Sequence, residues 1–249
     1  MKNLFKTSVL VCVMWGFAAC NNNDNPVYSI YDEPAVVESM GELPVIRTAF
    51  GKYSVAALAN TSVEEGRLLW VAFTVDKGNQ PNKEVPTVQN FKYLEIDSTK
   101  VIMPADAAEF EACLSDSYSD SIKVAMLYNT YIDEMLFFKF SQKAADNQKF
   151  DYELVCNPEL ENDEKVPTLY IRTKTDNAEM SANKHSSSGQ HTVFGIQMSE
   201  YIAYYKAKFS GTENPNRIKF NLKYKTGTDK DGKNVYQNFK SNPITWDMK

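Results

Sequence analysis

The chain has 249 residues, 43% hydrophobic and 12% aromatic, with a formal charge of −5. That aromatic content argues against disorder, and the acidic balance disfavours nucleic acid and anionic lipid head groups as partners, because counterion release needs a basic surface. No heptad pattern or internal repeat is present, and the length allows one large or two small domains.

In chain order the first feature is a leader. Lys2 and Lys6 precede an apolar run from Ser8 to Phe17, and small residues follow up to Cys20. This is the pattern of an export signal, too short to span a bilayer as a helix. Phe17-Ala18-Ala19-Cys20 resembles the lipobox of bacterial lipoproteins, which implies a signal peptide over 1–19 and a lipid anchor on Cys20. An ordinary secretory signal with an incidental cysteine is the alternative. Residues 20–34, rich in Asn and carrying Pro26 and Pro34, are expected to be a tether, since they have little apolar area to bury. Loss of Lys2 and Lys6 would take the formal charge to about −7. The address this leader leads one to expect is a lipid anchor in the cell envelope, at the outer membrane. Asn21 to Asn23 precede the lone Asp24, so the periplasmic or surface face stays open.

Strand patterns dominate the rest. "KYSVAAL" at Lys52 to Leu58, "RLLWVAFTV" at Arg67 to Val75 and "FKYLEID" at Phe91 to Asp97 form a first group. A short helix is predicted over Ala105 to Leu114, opened by Pro104, with Phe110, Cys113 and Leu114 on one face. A second group follows with "EMLFFKFS", the alternation Phe150, Tyr152, Leu154, Cys156, and "VFGIQM". A turn or so of helix is expected from Ser199 to Lys206. The clearest strand is "IKFNLKYK" at Ile218 to Lys225, where apolar and polar residues alternate without exception. After it, Asp231-Gly232 is explained by a hairpin turn, because glycine supplies the positive φ needed there. "TDKDGK" lacks the remaining acidic ligands of an EF-hand calcium loop.

This order of elements resembles the NigD-like lipoproteins, which join an N-terminal OB-like β-barrel to a C-terminal β-sandwich. The residues that carry the resemblance are Cys20 with its polar spacer, "GKYSVAAL" with "GRLLWVAFTV", "SIKVAMLYNTYIDEMLFFKF", "TLYIRT", and the end from "VFGIQM" to "IKFNLKY". After Arg172 family members commonly continue with His-Asn, whereas Thr173 and Lys174 follow here, so no site built on that histidine carries over. The expected architecture is mainly β: an OB-like barrel over 35–115, an antiparallel β-sandwich over 116–249, and one or two short helices.

Candidate sites are few. His185 and His191 bracket "SSSGQ", a mobile-looking loop without metal-ligand spacing, so no metal and no cofactor is expected. No G-x-S-x-G elbow is present, and the serines of that loop have no evident base. In "YIAYYKAKF" the residues Tyr201, Tyr204, Tyr205 and Lys208 form the candidate binding cluster, for a sugar or a partner protein, against the alternative that they pack inside. A barrel could stack single-stranded nucleic acid on Trp70, Phe73, Phe91 and Tyr93, which the acidic balance and the exported address oppose. Cys113 and Cys156 are open to a disulfide in an oxidising compartment, or to two separate buried thiols. Ser98 and Ser121, in Asp97-Ser98-Thr99 and Asp120-Ser121-Ile122, resemble the Asp-Ser/Thr-apolar O-glycosylation motif of some Gram-negative bacteria. The function expected is a noncatalytic accessory or binding module for a protein or glycan. The alternative is an envelope hydrolase with an acid-base pair that one sequence does not reveal.

Overall fold

The computed structural model describes residues 27–115, 124–143, 150–159, 166–175, 189–209, 217–239 and 242–247. The first sheet is built from β1 (Val27–Ser39), β2 (Val45–Thr48), β3 (Gly51–Ser54), β4 (Leu68–Asp76) and β5 (Val88–Ile96). Its order is β3-β2-β1-β4-β5, all antiparallel. A bridge from Ser54 to Thr87, with Ser54 N–H donating to Pro86 O at 3.0 Å, brings the two edges together into a near-closed barrel.

Two expectations shift here. Residues 27–34, assigned to the tether, form the first half of β1 and pair with β4 from Val27 opposite Asp76 to Pro34 opposite Trp70. Pro26 and Pro34 obscured this, but Tyr28 and Ile30 alternate inward, and β4 supplies the ladder that a local reading does not see. "KYSVAAL" stops being a strand at Ser54, and Ala56–Leu58 turns into a short 3-10 helix that buries Leu58.

The second sheet contains β6 (Ser98–Ile102), β7 (Val124–Ile132), β8 (Met135–Lys143), β9 (Phe150–Cys156), β10 (Thr168–Thr175), β11 (Gly189–Gln197), β12 (Arg217–Thr228), β13 (Asn234–Asn238) and β14 (Ile244–Asp247). Its order is β13-β12-β10-β9-β6-β11-β8-β7, with β14 also on β12. Most pairs are antiparallel, but β6 runs parallel to both β9 and β11, and β10 runs parallel to β12. Strands two apart in a flat sheet lie about 10 Å from each other. The rings of Tyr152 on β9 and Phe194 on β11, two apart across β6, nevertheless stack at 4.6 Å. Phe140 on β8 reaches Phe239 beyond β13 at 5.8 Å, and Tyr131 on β7 stacks on Trp246 of β14 at 4.6 Å. The sheet therefore folds over along β6 into two facing leaves, with one aromatic core between them.

The predicted boundary near residue 115 is displaced. β6 lies before it in sequence, yet it forms the fold line of the second sheet, and α1 (Ala107–Ser115) packs Phe110 against Tyr170 of β10 at 5.1 Å. Sheet membership changes at Asp97. A five-residue strand between a turn and a helix leaves too short a pattern to identify from sequence. The helix itself starts later than Pro104 suggested. Asp106 caps it, accepting from Glu109 N–H at 2.9 Å, while the Glu109 side chain accepts from Ala105 N–H at 2.7 Å.

β4 joins the two halves because its faces serve different cores. Leu69, Val71, Phe73 and Val75 fill the barrel, while Leu68 and Trp70 point the other way into the core of the second sheet. Gly195 on β11 makes room: a Cβ there would lie 2.4 Å from Leu68 Cδ1. Polar contacts cross the same junction. Asp32, at positive φ in a bulge of β1, accepts from Trp70 Nε1 at 2.6 Å and is ion-paired with Lys139 of β8. Arg47 on β2 pairs with Asp133, in the β7–β8 turn, at 2.8 Å.

Candidate functional site

The aromatic cluster lies on α2 (Ser199–Phe209), and helical spacing divides it. Tyr201, Tyr205 and Phe209 follow one another at intervals of four and form the inward row. Tyr201 is fully buried, and its hydroxyl donates to Lys219 O at 3.2 Å, while Tyr205 takes a hydrogen bond from the backbone of the same Lys219. These two tyrosines anchor the helix to β12, so the expectation that Tyr201 offers a binding surface is corrected: it packs at 5.9 Å edge-on to Phe220. Burial pushes its phenol well above the ordinary value.

Tyr204 and Lys208 form the next row: Tyr204 is half-buried at the margin of the main core and Lys208 is exposed. Lys208 Nζ donates to Pro158 O at 2.9 Å and to Tyr204 Oη at 2.8 Å. Its 5.2 Å separation from the ring centroid places it beside the hydroxyl rather than over the ring face. Next to this pair opens a cleft of about 490 Å³. Met103, Pro104 and Ala105, between β6 and α1, form one side, Glu200 and Tyr204 of α2 another, and Cys156 with Pro158 the part nearest the core. Burial pushes the Cys156 thiol up to about 12, so it is neutral at physiological pH. The cleft is thus mostly apolar, with one carboxylate and a tyrosine held by a lysine. Sequence reasoning missed its β6–α1 side, because that side depends on where β6 pairs.

Cys113 and Cys156 are both free. Alternation along β9 puts Val155 under α1 beside Cys113, and Cys156 on the opposite face toward the main core. A disulfide between them would have to pass through the sheet, and the two-thiol alternative is the one the fold adopts. Arg172 has a structural task on the α1 side. It is ion-paired with Glu153 and donates from Nη1 to Cys113 O at 2.6 Å, which with Asn234 Nδ2 on Leu114 O at 3.0 Å caps the end of α1.

The four aromatic residues considered for stacking do not share a surface. Trp70 faces the second core, Phe73 is buried in the barrel, and Phe91 and Tyr93 on β5 stack on each other at 5.7 Å near the outside. Ser98 is exposed at the start of β6, whereas Cys20, Ser121 and His185 lie outside the described residues. His191 is not in a loop: it pairs with Ser141 in the β8–β11 ladder. Asp229 Oδ1 accepts from the N–H groups of Asp231 and Lys233 at 2.9 and 2.8 Å, and Gly232 has φ 78°, which is the geometry of a turn. Among the described residues no group of three or more His, Cys, Asp or Glu side chains is placed to hold a metal, and no helix is long and apolar enough to cross a membrane.

No family model and no curated protein matches the sequence. Solved structures match the fold. An uncharacterized protein from Parabacteroides merdae is similar with a TM-score of 0.62 at 12% identity, over 88% of this chain and all of that one. A putative toxin-related protein from Parabacteroides distasonis has a TM-score of 0.53 at 15% identity, over 89% and 93%. A NigD-like immunity protein from Bacteroides caccae has a TM-score of 0.51 at 11% identity, over 87% and 95%. At these identities the likeness is one of fold: the chain shares the architecture of this group, a barrel-like sheet followed by a larger folded-over sheet.

Proposed function

We propose that the protein is a noncatalytic lipoprotein of the cell envelope, held by a lipid on Cys20, that works by binding a protein partner. The observation that carries the binding role is the strand β5. Past the single bridge at Thr87 it pairs with β4 alone among the described strands, and it leaves Leu94 64% and Tyr93 39% exposed. A largely exposed edge strand is a surface to which a second polypeptide can add. The shared fold of a NigD-like immunity protein supports a protein as partner rather than a glycan. The lipid anchor rests on the lipobox-like junction at Cys20.

Two measurements test this reading. Cys20→Ala should move the protein from the membrane fraction to the soluble fraction, and retention of the variant in high salt would reject the anchor. A photo-crosslinker at Tyr93 or Leu94 should give one discrete protein adduct in intact envelopes that is absent with the crosslinker at Lys230, in the exposed turn before β13. Equal adducts at all three positions, or none, would remove β5 as the partner surface.

A further inference from the structure

We infer that the free edge of β5 takes an extended segment of a partner protein that sets an acidic side chain against Lys92 and an apolar one against Leu94. This deepens the proposal that β5 is the partner surface and rests on it. The usable window is Phe91 to Glu95. On one side a bulge closes it: the pairing with β4 shifts register between Ala72 and Thr74, Asn90 has φ 52°, and its Nδ2 donates to Thr74 Oγ1 at 3.2 Å. On the other side Ile96 is buried, and Asp97 O accepts from Gly195 N–H at 3.2 Å where the chain passes into the second sheet.

The side chains in the window select the segment. Register sets Lys92 opposite Ala72 and Leu94 opposite Trp70, so both project from one face of the strand, while Phe91 and Tyr93 share the other and stack on each other. Glu95 is ion-paired with Arg67 at 2.8 Å. Lys92 is exposed and has no ion pair among the described residues, so it is the uncompensated charge of the window. A lysine on an edge disfavours apolar and basic strands, because its charge would be covered unpaired or repelled. Opposite charges directly across a sheet attract, so the same residue admits an acidic strand. A second copy does not meet this requirement. In a two-fold antiparallel pair of β5 strands, residues of the same face meet, so Lys92 would face Asn90, Leu94, Ile96 or another Lys92, and never Glu95. Paired antiparallel, the more stable sense per residue, the segment reads apolar-x-acidic from its N-terminal side, with an aromatic or β-branched residue between to meet Tyr93.

The test is fluorescence-anisotropy titration of the full chain with the labelled peptide Ser-Thr-Val-Tyr-Glu-Thr-Ser and with the same peptide carrying Gln or Lys in place of Glu. The Glu peptide should bind saturably, about two- to fivefold more tightly than the Gln peptide, with the Lys peptide weakest; an exposed cross-strand ion pair supports a preference of that size. Lys92→Glu, an exposed change, should reverse the order, and Lys92→Arg should keep it, both with an unchanged urea midpoint. The inference is overturned by equal affinity for the three peptides, by an order that survives Lys92→Glu, or by no binding of the Glu peptide at millimolar concentration. The photo-crosslinker at Tyr93 in intact envelopes separates this from the parent proposal. A discrete adduct whose yield falls with Lys92→Glu but not with Lys92→Arg supports the acidic segment. An adduct that Lys92→Glu leaves unchanged overturns the acidic segment and keeps β5 as the partner surface, and no adduct in the native chain removes both.

Discussion

The barrel and the folded-over sheet solve the same problem, closing a β-sheet, by different means. In the barrel every paired strand lies between Val27 and Ile96, and a short bridge at Ser54 brings the edges together. The second sheet depends on β6, the strand just before α1 in sequence, inserted in parallel between β9 and β11. Where the leaves meet across β6, aromatic rings do the packing, whereas the barrel interior is mainly aliphatic. The difference teaches that a boundary drawn from the order of elements can cut through a structural unit, because the strand at the fold line need not lie with its partners in sequence.

Truncation breaks the comparison most severely. A fragment over 116–249 lacks β6 and α1, leaves β9 and β11 without their shared neighbour, and should show no cooperative urea transition by circular dichroism. A fragment over 98–249 should keep one. Cooperative unfolding of the shorter fragment with an unchanged midpoint would mean that β6 is dispensable. Next come paired core deletions, Phe73→Ala in the barrel and Phe140→Ala between the leaves, each expected to cost about 3–5 kcal/mol. Since β4 contributes Leu68 and Trp70 to the second core, both variants should lower one shared transition, followed by Trp fluorescence and circular dichroism together. Two separated transitions would show that the junction does not couple the halves.

Alkali should act unevenly on the two regions. Burial raises the phenols of Tyr131, Tyr152 and Tyr201 and the thiol of Cys156 in the second region, against Tyr53 in the barrel. Each of these groups is held neutral in the folded state, so its contribution is complete below the unfolded-state value and is lost as pH rises toward the folded-state value. For Cys156 the window runs from 9.0 to about 12. Stability should fall above about pH 9, by up to ~1.4 kcal/mol per pH unit for each such group, and Cys156→Ala should flatten that limb relative to the native chain. A urea midpoint constant from pH 8 to 11 would contradict the burial of these groups.

The smallest contrast lies within α2. Tyr201→Phe removes the bond to Lys219 O and should cost about 1 kcal/mol, while Tyr204→Phe, at the cleft, should change stability by less than about 0.5 kcal/mol. Equal effects would mean that the two rows of the helix are not distinguished by burial.

How much of this was legible from residues alone follows the range of the physics involved. Alternation with period two is written into consecutive residues, which is why Ile218, Phe220 and Leu222 on β12 and the inward row of β9 are recognisable without a structure. The turn at Asp229 to Gly232 is equally local, because one carboxylate and one glycine make it. The mainly β class with a barrel-like first half follows from such signals together with the family resemblance. Even the two rows of α2 are implicit in a spacing of four, since Tyr201, Tyr205 and Phe209 repeat at that interval and only the helix had to be extended to Phe209.

Partners distant in sequence were decided by the tertiary structure. Whether residues 27–34 trail as a tether or pair as a strand depends on β4, and whether Ser98–Ile102 matters depends on β9 and β11. The two cysteines looked alike as buried thiols; the sheet separates them, because adjacent positions on β9 point to opposite faces. The cleft needed three elements brought together by that pairing. Local pattern determines which way a side chain alternates, but the surface it then meets is set by register and sheet order, which are collective properties of burial.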